Sequence, residues 1–444
     1  MSQPPIPARE IAERPDGYQG PNLSPRGLTL APHRLADGVY ALMATLPPKD
    51  NNGLVAGRDA ALIVDAGITP EVSTRIRALA GGLTDRPPRY LANTTYHGDH
   101  TFGNMGFPED VVIVSSRLNK ENMTDLDYEK KVRSGNMHGD EGLLDTVTRW
   151  RTPDVVFDSF AEIDLGGRTV QLWHFGPGNG PGDTIVYIPD TRTAWTGNFL
   201  GHAGVAHMLM QGGPEPYVGS LRRMREALPE LRTIVPGHGP MGDGPAAIDA
   251  LVAYLERLHD EVAASVEAGR TLAETEAACT DPWADDLDPA LAAAIAAYDV
   301  PPELARRGML ELCRHLHRLN VLSTYRLYEA GPAESKRSRR RRTPWSAHPT
   351  PPRPAGVGEV RDQLRELGGP LGDHRVARAL DAYDAQRGVG PRRLGQAPSN
   401  HRNPPISCIM ADPVHRTVTK LALFTPPATV GTAPANAGAL RSQP

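Results

Sequence analysis

Two imidazoles and a carboxylate crowd into one short stretch, Asn93-Thr-Thr-Tyr-His97-Gly-Asp99-His100-Thr-Phe-Gly-Asn104. Histidine and aspartate at this spacing can converge on a cation, with Gly98 letting the backbone close around it. An imidazole left outside the ion's shell can move protons near neutral pH. The chemistry on offer is metal-assisted attack on a polarised bond, or metal-free proton transfer among clustered titratable groups.

The elements that must position these residues follow from the hydrophobic pattern. Short apolar runs between turn residues predict strands at 38–46, 52–57, 60–65, 89–93 and 111–115, and again at 169–174, 184–189, 193–199 and 233–236. Helical periodicity marks 69–79, 118–132, 216–228, 246–268 and 302–328. Each candidate residue therefore sits where a strand ends. The order of strands, helices, strands and helices predicts two sheets between helical layers in one α/β unit.

The His-rich loop, with its partner segments in their order along the chain, resembles the His-x-His-x-Asp-His signature of the metallo-β-lactamase superfamily. The resemblance runs from about residue 38 to about 269 and implies a four-layer αββα sandwich. Gly176-Pro-Gly-Asn179-Gly-Pro-Gly-Asp183 matches the segment that usually carries a His. Thr196-Gly-Asn198 matches the strand end that usually carries a bridging Asp, and His238 matches the last His of the pattern. Asp65 matches an Asp that usually orients ligands. By that resemblance one metal position is left with Thr95, His97 and Asn179, of which two are poor neutral ligands for zinc. The other keeps Asp99, His100 and His238, and only its bridge has become Asn198. Two imidazoles, a carboxylate and an open position are the layout of a catalytic zinc.

The resemblance therefore implies a small-molecule hydrolase acting on an ester, thioester, lactone or amide through water on a single zinc. Asp99, His100 and His238, with His97 beside them, are the expected metal residues; His97, Asp99 and Asn198 are the expected catalytic ones. Two alternatives stay open: a non-hydrolytic cyclase or lyase of small metabolites on the same fold, and a binding protein without catalysis. His202 and His207 are lesser candidates in the loop after Asn198. His174 reads as a packed strand residue, and His315 and His317 as surface.

Composition bounds the rest. A net charge of −4 over 444 residues excludes a global nucleic-acid or membrane-surface footprint, and no run approaches the roughly 18 apolar residues of a membrane span. Three scattered cysteines suggest no disulfide framework, and the polar, Pro-rich start has no apolar signal core, so a cytoplasmic protein is expected. Residues 1–30 read as a flexible lead-in and 31–330 as the metallo-β-lactamase-like domain that the resemblance implies. The stretch 331–444, with a basic block at 336–342 and much of the chain's 43 prolines, reads as a largely disordered tail. The partner expected is a small-molecule substrate, with no nucleic acid and no membrane. Oligomeric state is not legible.

Overall fold

The computed structural model describes residues 12–330 and, beyond them, only the backbone of two short strands. The first sheet is built in chain order from β1 (Leu30–Ala36), β2 (Val39–Ala44), β3 (Asn52–Ala56), β4 (Ala61–Val64), β5 (Pro88–Ala92), β6 (Val112–Ser116) and β7 (Val155–Phe157). It begins as an antiparallel meander and turns parallel from β4 onward. Strands buried on both faces lack polar alternation, and β4 (Ala-Leu-Ile-Val) is buried at every position.

The second sheet holds β8 (Phe160–Asp164), β9 (Thr169–Trp173), β10 (Ile185–Ile188), β11 (Thr193–Gly197), β12 (Thr233–Pro236) and β13 (Gly242–Asp243). The two strands beyond residue 330, β14 (Cys408–Ala411) and β15 (Thr419–Leu421), extend it beside β8. The remainder of the stretch read as a tail, including the basic block at 336–342, lies outside the described residues.

Helices cover both outer faces. They are α1 (Pro70–Leu83), α2 (Gly98–Thr101), α3 (Arg117–Asn122), α4 (Leu126–Ser134), α5 (Pro214–Ala227), α6 (Gly244–Glu267), α7 (Leu272–Ala278), α8 (Pro289–Ile295) and α9 (Pro302–Glu329). Three apolar cores separate four layers. One, between the sheets, joins Val39, Leu62 and Val114 to Leu172, Val186 and Trp195. A second packs α1 on the first sheet through Val72 and Ile76. The third packs α5, α6 and α9 on the second sheet through Leu221, Leu255 and Leu316. The fold is the αββα sandwich that the sequence predicts.

Three details differ from expectation. The helix expected over 118–132 is two helices: the first ends at Asn122, and Asp125 caps the next by accepting the Tyr128 N–H on its side chain at 3.0 Å. Residues 12–29 are not a loose lead-in: Leu23 and Leu28 enter the core of the first sheet, and Glu13 pairs with Arg326 at 2.7 Å. His317 is not a surface residue; it is buried against Tyr254, whose hydroxyl lies 3.1 Å from its Nδ1. Among the described residues, no helix is long and apolar enough to cross a membrane.

Candidate metal centre

The carboxyl ends of β4, β5, β11 and β12 open at one place, the crevice where α/β folds bind ligands. Asp65 follows β4, the His97 loop follows β5, Asn198 follows β11 and His238 follows β12. Asp50 comes from the loop before β3. Asp50, Asp99, His100 and His238 each offer a ligand atom, and these atoms lie within 4.8 Å of one another.

Hydrogen bonds outside this group set which nitrogen faces inward. Asp65 accepts a hydrogen bond from His100 Nδ1 at 2.9 Å, which turns Nε2 toward Asp99 Oδ2 at 3.4 Å. His238 Nδ1 lies 2.8 Å from the Pro48 carbonyl; a carbonyl only accepts, so Nδ1 carries the proton. His238 Nε2 then faces Asp99 Oδ2 at 3.2 Å. Orientation of this kind is what metal-binding imidazoles require.

Asp50 reaches the centre through its neighbour. Asn51 takes the Ala44 N–H at 2.9 Å and donates to Pro236 at 3.0 Å and Gly239 at 2.8 Å. These bonds staple the Asp50 loop to the His238 loop and leave Asp50 Oδ1 3.3 Å from His238 Nδ1. Gly98 is needed for a different reason than expected: a Cβ there would stand 2.4 Å from the Phe102 ring. Its N–H donates to Glu129 Oε1 at 2.8 Å, which anchors the loop to α4.

The electrostatics follow from burial and neighbours. Burial pushes Asp50 up to about 7 against the pull of His238. Burial works against charge on His100, yet Asp65 and Asp99 outweigh it and raise that group to about 10. Asp99 is held well below the usual carboxylate range, its burial outweighed by His100, His238 and Arg133. His97 is driven far down by burial and then by the Arg133 guanidinium, so its ring is neutral.

Of the residues singled out from the sequence, Asp99, His100 and His238 come together. His97, expected as a metal residue, is not in the four-residue group: its Nδ1 lies 3.1 Å from Asn198 Nδ2. Asn198 stands between the two histidines, with its Oδ1 3.3 Å from His100 Nε2. Thr95 and Asn179 are both buried, and Asn179 Nδ2 donates to the Met208 carbonyl at 2.6 Å. His207 supports from behind, with Nδ1 3.1 Å from the Asn198 carbonyl and burial pushing it down to about 4. His202 turns its Nδ1 to the Ala203 carbonyl at 2.7 Å. Sequence reasoning missed Asp50, Glu129 and Arg133.

A cavity of about 80 Å³ opens onto the centre, lined by His97, Asp99, Arg133, Asn179 and Asn198 on its polar side. Leu23 of the N-terminal arm and Met309, Leu312 and Leu316 of α9 form part of its apolar side. A groove of about 320 Å³ continues outward, sharing Pro21, Pro48, Met309 and Leu312 with the cavity.

Residues 49–238 match the model of the metallo-beta-lactamase superfamily, a span that starts beside Asp50 and ends on His238. Among solved structures, a metallo-beta-lactamase from Pontibacter korlensis is similar at 17% identity and a TM-score of 0.41, over 51% of this chain and 99% of that one. A metallo beta lactamase from Erythrobacter litoralis, with beta mercaptoethanol in its active site, is similar at 20% identity and a TM-score of 0.40, over 51% and 96%. The family match covers the strand ends and loops that carry Asp50, Asp65, Asp99, His100 and His238, so it is this part of the chain, residues 49–238, that matches the metallo-β-lactamase superfamily.

Proposed function

We propose that the protein is a metal-dependent hydrolase that cleaves an ester, thioester, lactone or amide bond of a small molecule at a single-ion centre. The observation that carries this reading is the four-donor group of Asp50, Asp99, His100 and His238, with both imidazoles pre-oriented by Asp65 and Pro48. Two nitrogens and two carboxylates suit zinc or a similar divalent ion. Such an ion, when bound, polarises a carbonyl and makes water more acidic.

The chain's own residues define the rest. Asn198 Nδ2 donates to His97 Nδ1, so the neutral His97 carries its proton on Nε2. His97 therefore serves as a hydrogen-bond donor to a carbonyl oxygen in the cavity, and not as a general base. Asn198 positions His97, and α9 with the N-terminal arm excludes water. An 80 Å³ cavity is well below the roughly 300 Å³ of ordinary ligand pockets. The reacting end of the substrate belongs there, and an apolar body extends into the outer groove.

The test is metal content of purified protein together with turnover of nitrophenyl esters, thioesters and lactones of increasing chain length. The expected result is one zinc per chain, with zinc and turnover lost together in His238→Ala. Turnover that survives complete chelation refutes the proposal and favours the cyclase or lyase alternative.

A further inference from the structure

We infer that Arg133 is a built-in second cation of this centre, whose guanidinium holds the charge and the place a second metal ion would need. The inference rests on the single-ion reading above and explains why the centre takes only one.

Helix α4 carries Glu129 and Arg133 one turn apart, and both side chains point inward at 3–4% exposure. Charged side chains are almost never so buried unless paired. Here each has defined partners. Arg133 Nε lies 3.0 Å from Glu129 Oε1, and its Nη1 lies 3.4 Å from Asp99 Oδ1. Glu129 Oε1 also accepts the Gly98 N–H, so the helix is tied to the loop between His97 and Asp99.

The two oxygens of Asp99 are thereby divided. Oδ2 faces His100 and His238 in the four-donor group, and Oδ1 faces the guanidinium. One carboxylate joins the ion site on one side to a fixed positive charge on the other. Arg133, His97 and Asn179 line one cavity with Asp99 and His238, and the guanidinium meets the Asp99 oxygen that the two imidazoles do not. An arginine does not lose its proton in a protein, so this charge is permanent. A divalent ion at that oxygen would meet the guanidinium at contact distance. It would find only neutral donors in His97 and Asn179 to offset the repulsion. The neutral residues and the arginine are parts of one arrangement.

Equilibrium dialysis against zinc, followed by elemental analysis, tests this without reference to activity. Wild-type protein should saturate at one zinc per chain. Arg133→Ala vacates a space bordered by Glu129, Asp99 Oδ1 and His97, and it should saturate at two. Millimolar methylguanidine should return Arg133→Ala to one by refilling that space. An Arg133→Ala that folds and stays at one overturns the inference and leaves the single-ion reading standing, whereas a wild type that binds two overturns both. A wild type that binds none overturns both. If Arg133→Ala does not fold, the wild type decides: loaded with excess manganese(II), it should give the spectrum of an isolated ion in electron paramagnetic resonance. A spin-coupled pair would overturn the inference.

Discussion

Asp65→Asn separates the orientation of a metal residue from the fold that holds it. Asp65 accepts three hydrogen bonds: the Thr94 N–H at 2.8 Å on Oδ1, and the Thr94 hydroxyl at 2.7 Å and His100 Nδ1 at 2.9 Å on Oδ2. Its backbone sits at φ 60°, a region that Asn tolerates as well as Asp, so the exchange adds no backbone strain. Asn keeps the oxygen for Thr94 N–H and places an NH₂ where Oδ2 stood. The Thr94 hydroxyl can rotate to accept from it. His100 can accept only by moving its proton from Nδ1 to Nε2, the nitrogen that faces Asp99. The fold therefore loses about one charge-assisted hydrogen bond, or roughly 1.5–3 kcal/mol. The centre loses an available lone pair on His100, and removal of such orienting partners lowers metal affinity about 10–100-fold. Zinc affinity is read by competition with a chromophoric chelator, and stability by urea unfolding of the metal-free protein. Unchanged zinc affinity in a folded Asp65→Asn would refute the assignment of His100 Nε2 as a ligand atom.

Two further predictions test the scaffold. Asn51→Ala leaves Ala44 N–H, Pro236 O and Gly239 O without their buried partner, at about 1 kcal/mol or more each. The urea midpoint should fall by the equivalent of about 3 kcal/mol, and zinc affinity should fall with it because Asp50 is released; a change under about 1 kcal/mol would refute the staple. Asp183 is buried and pushed up to about 7, while its unfolded value stays near 3.8. Between those values the folded state holds a proton that the unfolded state has lost, so this group's contribution to stability declines as pH rises through that window and is level above it. Asp183→Asn should flatten the decline in urea midpoints between pH 5 and 8, and parallel curves for both proteins would refute it.

How much of this was legible depended on whether distance along the chain mirrored distance in space. Asp99, His100 and Asp65 are readable because the first two share one loop and the third closes an apolar strand. His238 is readable from the Pro-Gly-His-Gly turn after β12. Asp50 carries no such mark: it lies in a polar loop and reaches His238, far along the chain, through a single backbone bridge and the Asn51 staple. Glu129 and Arg133 look like an ordinary surface ion pair, since Glu and Arg four apart usually face water. Only the packing of α4 against the Gly98 loop turns that pair inward. The N-terminal arm misleads in the same way. Its proline-rich polar composition reads as loose, yet Leu23 lines both a core and the cavity.

The replaced residues also bear on whether this centre is decaying or rebuilt. Burying ionisable groups is costly, and a centre drifting without function is relieved of that cost by exchanging them for apolar ones. The chain instead keeps Asp50, Asp65, Asp99, Glu129 and Arg133 buried, and the orienting bonds on His100 and His238 remain in place. The neutral Asn179 lines the cavity with the guanidinium, and the four-donor group has both its carboxyl groups and both its imidazoles. A guanidinium against one Asp99 oxygen and the four-donor group against the other is the pattern that the proposed single-ion reading expects.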